Sequence, residues 1–112
     1  MEEKFEIIEY VDDQGKKPFS DWLARLRDIR GVAVIDARLK RIVLGNFGDC
    51  KRMTPALWEL RVDFGPGYRV YFAKDGARIV LLLCGGNKAT QQRDVEKASH
   101  LWNNYRRRKH GT

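Results

Sequence analysis

The sequence predicts an α+β fold: a curved, mainly antiparallel sheet of four to five strands with an N-terminal helical hairpin and a C-terminal helix. Three observations carry this prediction. Apolar residues recur at helical spacing between residues 18 and 42, the period falls to two between residues 57 and 72, and helical spacing returns after Asn87. Helices and strands grouped in this way predict helices packed on one face of the sheet. With 112 residues, 43% of them hydrophobic and 33% charged, the chain has the composition of one globular domain spanning residues 1–112.

Each element follows from a local pattern. Phe5, Ile7 and Val11 fall on one face of an extended segment, and Ile8 and Tyr10 on the other. Asp12-Asp13-Gln14-Gly15 is a turn. Pro18 suits the first turn of a helix, where the N–H that it lacks would have no partner. Phe19, Trp22, Leu23, Leu26 and Ile29 then form an apolar stripe. Gly31 is expected to break that helix. Val32, Ile35, Leu39 and Ile42 mark a second one, with Arg38, Lys40 and Arg41 off its seam and Gly45-Asn46 as its stop.

From Leu57 the pattern is that of strands. Trp58, Leu60, Val62 and Phe64 alternate with Glu59, Arg61 and Asp63. Gly65-Pro66-Gly67 turns the chain, and Tyr68, Val70 and Phe72 alternate with Arg69 and Tyr71. Asp75-Gly76 signals a second hairpin. Residues 79–84 are almost continuously apolar, which predicts a central strand covered on both faces. Gly85-Gly86-Asn87 ends it. The last helix is expected from about residue 89 to about residue 108, with Val95, Ala98, Trp102 and Tyr105 buried and residues 106–110 frayed into a basic tail.

Charge narrows the function. Residues 1–15 hold six acids against the single base Lys4, a net of −5, so an overall +7 leaves +12 on the other 97 residues. Such a field attracts phosphate polymers. No apolar run approaches the ~18 residues that a membrane-spanning helix needs, and the acidic start is not a secretory n-region. The expected location is therefore the cytoplasm, with Cys50 and Cys84 reduced. Those cysteines, His100 and His110 fit no metal-ligand spacing, so neither a metal nor another cofactor is expected.

If the apolar set of the hairpin faces the helices, its other face carries Glu59, Arg61, Asp63, Arg69 and Tyr71 as neighbours in the open. Guanidinium forks bind phosphate bidentately, and a phenol stacks on a base or bonds to phosphate. Taken alone, the same face is also compatible with a solvated surface tied by Glu59–Arg61 or Arg69–Asp63 pairs, which would contribute little. Lys88 and Gln91 lie where a helix starts, a position that favours anions. The Gly-Gly-Asn-Lys run lacks the P-loop spacing. Lys51, Arg52 and the run Arg106-Arg107-Arg108 are further phosphate contacts or solvated basic residues.

The segments Leu57-Trp58-Glu59-Leu60-Arg61, Gly65-Pro66-Gly67-Tyr68-Arg69-Val70-Tyr71-Phe72 and Leu82-Leu83-Cys84-Gly85-Gly86-Asn87-Lys88, with residues 91–98, resemble the RelE/ParE toxin superfamily. The Pro18-Phe19 helix and the segment from Arg41 to Asp49 resemble its phage-derived, HigB-like addiction module killer branch. The resemblance covers nearly the whole chain. It implies the toxin of a type II toxin–antitoxin module, a ribosome-dependent endoribonuclease that cuts messenger RNA in the aminoacyl site by metal-independent attack of a ribose 2′-OH on the adjacent phosphate. It places Arg69 on the scissile phosphate, with Arg61 and Lys88 as further cations and Tyr71 as a stacking or proton-handling group. RNA contacts are expected from Lys51, Arg52, Gln91, Arg106, Arg107 and Arg108. The family's C-terminal aromatic or histidine falls on Tyr105 or His110, or on neither.

The implied partners are the ribosome and its message, and an antitoxin with a helix-turn-helix part encoded next door. Operator DNA would be bound only through the antitoxin complex, and no membrane is involved. ParE-type relatives share the fold yet inhibit DNA gyrase without cutting RNA, so a gyrase inhibitor and a non-catalytic nucleic-acid-binding module are the alternatives. The ribonuclease reading requires Arg61, Arg69 and Tyr71 to meet on one accessible surface.

Overall fold

A computed structural model describes residues 2–110. In chain order its elements are β1 (Glu6–Glu9), α1 (Pro18–Arg25), α2 (Ile29–Val43), β2 (Cys50–Arg52), β3 (Leu57–Val62), β4 (Tyr68–Asp75), β5 (Ile79–Asn87) and α3 (Gln91–Lys109). A single 3-10 turn, Lys88–Thr90, leads into α3. The strands form one sheet in the order β1-β5-β4-β3-β2. All neighbours are antiparallel except β1, which runs parallel to β5 with Glu6 opposite Ile79. The α+β fold, the mainly antiparallel sheet and the C-terminal helix are those that the periodicity predicts.

The helices do not share one face. Phe19 of α1 and Ile35 and Ile42 of α2 pack against Leu60, Val62, Val70, Phe72, Val80 and Leu82 on one side of the sheet. Ala98 of α3, with Val95, Leu101 and Trp102, covers Leu57, Tyr71, Ala73, Leu81 and Leu83 on the other. The sheet is thus the middle of three layers, which is why β5 reads as continuously apolar. The open face expected around Tyr71 is instead half roofed by α3.

Local departures have local causes. The break between α1 and α2 falls at residues 26–28, where Leu26 is extended and the Asp28 carboxylate caps α2 by accepting from the Gly31 amide at 2.9 Å. Gly31 therefore lies inside α2. A Cβ there would come within 2.6 Å of the Tyr68 ring, so the glycine permits close approach to the sheet. Ile29, expected in the apolar stripe, is 89% exposed at the first position of α2. The segment from Cys50 to Arg52 is a short edge strand, too brief to show a period. The last turn is helical to Lys109 and not a frayed tail. Arg108 donates to the Val11 carbonyl at 2.7 Å, and Lys109 pairs with Asp75.

Two glycines bring the layers together. A Cβ on Gly85 would lie 2.2 Å from the Trp22 ring of α1, and one on Gly86 would lie 1.8 Å from the Asp94 carboxylate of α3. Adjacent strand residues point to opposite faces, so the pair gives clearance on both sides of β5. A register shift at Tyr71/Phe72 leaves Leu83 as an extra residue between Cys84 and Leu82. Leu83 and Cys84 consequently both belong to the α3-side core.

Replacing either glycine forces an indole or a carboxylate out of a packed layer. Gly85→Ala and Gly86→Ala are expected to cost about 1–3 kcal/mol each, read as a lower urea midpoint at unchanged m. Ile29→Ser, at an exposed site, should stay within roughly 0.5 kcal/mol of the parent.

Candidate functional site

The β3–β4 register sets Glu59 opposite Tyr71 and Arg61 opposite Arg69. On the α3 face these four side chains make a two-by-two block. α3 starts over one half of it and covers Glu59 and Tyr71, both 0% exposed. The other half emerges at the end of the sheet, with the Arg61 side chain 33% and the Arg69 side chain 13% exposed. A cleft of about 420 Å³ opens there, lined by Arg61, Arg69 and Lys88 together with Asp49, Asp63 and the turn Gly65-Pro66-Gly67.

The two arginines stand directly across from one another, an arrangement that repels unless a counter-charge intervenes. Glu59 supplies it. Its Oε1 accepts from Arg61 Nε at 2.8 Å and lies 3.7 Å from Arg69 Nε. Its Oε2 accepts from the Tyr71 hydroxyl at 2.9 Å and from Gln91 Nε2 at 2.8 Å. Burial by itself would raise the Glu59 carboxyl, but the hydrogen bonds from Arg61, Gln91 and Tyr71 outweigh it and hold the group below its ordinary value of 4.5. Glu59 is thus a buried carboxylate that stays ionised.

The cleft walls are fixed from behind. Arg38 of α2 donates from Nη1 to the Arg61 carbonyl at 2.6 Å and from Nη2 to the Phe47 and Asp49 carbonyls at 3.3 Å. The Arg61 amide donates to the Asp49 carbonyl at 2.9 Å. On the far wall the Lys88 amide donates to the Gly67 carbonyl at 2.9 Å, which ties the turn to the entry of α3. Gly67 adopts φ +81°, and a Cβ there would meet Arg69 and Lys88 at 3.3–3.4 Å. Asn87 caps the 3-10 turn through the amides of Ala89 and Thr90, which places Lys88 at the rim.

The residues singled out from the sequence divide into three groups. Arg61, Arg69 and Lys88 meet in the cleft. Tyr71 and Gln91 belong to the same site from beneath, bonded to Glu59. Tyr71 cannot stack on a base, because it is buried. Its hydroxyl donates to Glu59 and not into the cleft, and burial, followed by that bond, pushes its phenol far above the ordinary range. That expectation for Tyr71 is overturned.

The third group lies elsewhere. Lys51 is opposite Glu59 on the edge strand and exposed, on the same face but not in the cleft wall. Arg52, opposite Trp58, lies over that indole and bonds the Pro55 carbonyl. Arg106, Arg107 and His110 border a separate depression with Asn103. Arg106 rests over the Trp102 ring and Arg108 over the Tyr10 ring. Tyr105 donates to Asp75 at 2.7 Å, at the far end of β4, six residues and thus about 20 Å along the strand from Arg69. Burial, then that bond, raises its phenol to about 12. Neither Tyr105 nor the basic helix end reaches the cleft, and His100 is exposed on α3. Among the described residues no group of three or more His, Cys, Asp or Glu is placed to hold a metal ion, and no helix is long and apolar enough to cross a membrane.

Sequence reasoning missed Arg38 and the central place of Glu59. Arg38 shows as one more off-seam cation, with no signal separating it from Lys40 or Arg41. Glu59 does leave a signal: a carboxylate two residues before Arg61 and opposite a tyrosine, on a face that a third helix could cover.

Since folding lowers the Glu59 carboxyl, the stability that it contributes is complete above its ordinary value of 4.5 and is lost as pH falls through the lower folded value. Glu59→Gln is expected to cost about 1–3 kcal/mol at neutral pH. The gap to the parent should narrow below pH 4.5, as measured by urea denaturation across pH 3–7.

A family model described as "Phage derived protein Gp49-like (DUF891)" matches residues 21–103. An uncharacterized protein of Haemophilus influenzae is 47% identical over 83 residues, covering 74% of this chain and 84% of that protein. The family match runs from within α1 into α3 and takes in Arg38, Glu59, Arg61, Arg69, Lys88 and Gln91. The chain belongs to the phage-derived Gp49-like family.

Proposed function

We propose that this protein is the toxin of a toxin–antitoxin pair and acts as a ribosome-dependent endoribonuclease on messenger RNA. The observation that carries the reading is the cleft in which Arg61, Arg69 and Lys88 converge. Gp49-like proteins are a RelE/HigB-type, toxin-like family, and the +7 charge suits a polyanionic substrate.

In this reading a ribose 2′-oxygen attacks the adjacent phosphorus and the 5′-oxygen of the next nucleotide departs. The attacking hydroxyl loses a proton and the leaving oxygen gains one, yielding a 2′,3′-cyclic phosphate and a 5′-hydroxyl. Three cations around the phosphate stabilise the charge that builds on its non-bridging oxygens. Asp49 and Asp63, which also line the cleft, can receive the 2′-OH proton, and the departing 5′-oxygen takes its proton from water, to which the aspartate then returns the one it accepted. The ribosome's part is to present the message in line, since alignment itself supplies much of the rate. Tyr71 does not meet the requirement, set from the sequence, of an accessible surface shared with Arg61 and Arg69; the reading rests instead on the two arginines and Lys88, and Tyr71 has no direct role in this chemistry. An antitoxin would restrain the toxin by occupying or distorting the cleft.

Arg69→Ala and Arg61→Ala should each lower cleavage by roughly 100- to 1000-fold and relieve growth arrest, while circular dichroism stays that of the parent. Primer extension on cellular messages after induction reads the cuts directly. Intact messages with DNA breaks and an SOS response would establish gyrase as the target instead. Normal growth on strong expression would leave only a binding module.

A further inference from the structure

Glu59 sits among both arginines without reaching the solvent side of the cleft, and the way in which it holds them is specific. It hydrogen-bonds Arg61 at Nε, the nitrogen nearest the backbone, at 2.8 Å, and faces Arg69 Nε across 3.7 Å as an ion pair, so that this buried nitrogen has no hydrogen-bond partner among the described residues. Among the described residues neither Nη of Arg61 donates a hydrogen bond within the protein, and Arg69 uses only Nη1, toward the Tyr68 carbonyl at 3.1 Å. A guanidinium held at Nε keeps its outer donors for a ligand, and a phosphate takes such donors in a planar fork.

Resting on the reading of the cleft as an RNA-phosphate site, we infer that Glu59 is a positioning residue: it holds Arg61 by a hydrogen bond at Nε and Arg69 by charge, which leaves both Nη of Arg61 and Nη2 of Arg69 for one phosphate. Tyr71 and Gln91 act one step further back. They occupy Oε2 and so fix the carboxylate's plane, which leaves Oε1 turned toward the two Nε atoms. Glu59 is therefore not the base of the reaction. Both its oxygens are engaged and it is fully buried.

This role has the opposite sign to a simple charge effect. Removing a negative charge beside two arginines should tighten anion binding by Coulomb's law. Releasing two guanidiniums from a common anchor should weaken it, because their rotamer freedom must then be lost on binding. Substitution at Glu59 distinguishes the two.

The test uses the full chain and a 2′-O-methyl single-stranded RNA, which binds but cannot be cut. Affinity is measured by fluorescence anisotropy over a salt series, beside the arginine Hε resonances in ¹⁵N-correlated NMR. Glu59→Gln is expected to weaken binding about tenfold and to flatten the log–log salt slope by roughly 0.7 for each phosphate that the arginines no longer neutralise. The Arg61 Hε signal should lose its protection from exchange. Tyr71→Phe, which changes no charge and removes one hydrogen bond, should weaken binding roughly two- to fivefold, and it keeps the test informative if Glu59→Gln folds poorly. Tighter binding by Glu59→Gln with an unchanged slope, or Arg61 Hε protection unaffected by either variant, overturns the inference. If the parent chain neither binds this RNA nor cuts messages, the ribonuclease reading falls, and the NMR signals alone decide whether Glu59 anchors the arginines.

Discussion

A single ionised carboxylate, withdrawn from solvent between two strands and a helix, makes the exposed chemistry possible. Two guanidiniums one strand apart repel each other, and a cleft that also contains Lys88 concentrates the problem. Glu59 balances them from below. The cost of burying its charge is offset by donors from β3, β4 and α3. The donors are Arg61 on the same strand, Tyr71 on the next strand of the hairpin and Gln91 on α3, 32 positions from Glu59, so the carboxylate is satisfied only when the sheet has its register and α3 has docked. Site and tertiary structure are the same set of contacts.

The same dependence explains the layout of the cleft walls. Arg38 reaches across from α2 to the carbonyls of Arg61 and Asp49, and the Lys88 amide fastens the Gly65-Pro66-Gly67 turn to the entry of α3. Helices on opposite faces thereby grip the two sides of one opening. A cation pointing inward to carbonyls is as much a part of this surface as one pointing outward to a ligand.

Much of the fold is legible in the sequence because burial imposes period. Trp58 to Phe64 and Tyr68 to Phe72 alternate as strands do, and Val95, Ala98, Trp102 and Tyr105 space as a helix does. The alternation also puts Arg61 and Arg69 on one face correctly. It says nothing about what covers that face, so it leaves Tyr71 in solvent when α3 in fact roofs it. The contrary sign is present in residues 79–84, whose unbroken apolar run needs a layer on each side. Gly31 misleads for a related reason: a glycine that ends a helix and one that lets a helix approach a tyrosine look alike in a string of letters. Arg38, and the separation of Arg106 from the cleft, depend on distances that no periodicity encodes.

The parallel seat of β1 beside β5 has a consequence for how the molecule is made. Glu6 pairs with Ile79, across 73 positions, while every other pairing in the sheet joins segments close in sequence. The hairpins can zip locally as they emerge from the exit tunnel, but the first strand has no edge to join until the fifth is synthesised. α3, which closes the network over Glu59, comes later still. The chain thus completes its basic cleft only after all five strands and α3 have been made, a high-contact-order closure that delays the ordered arginine pair.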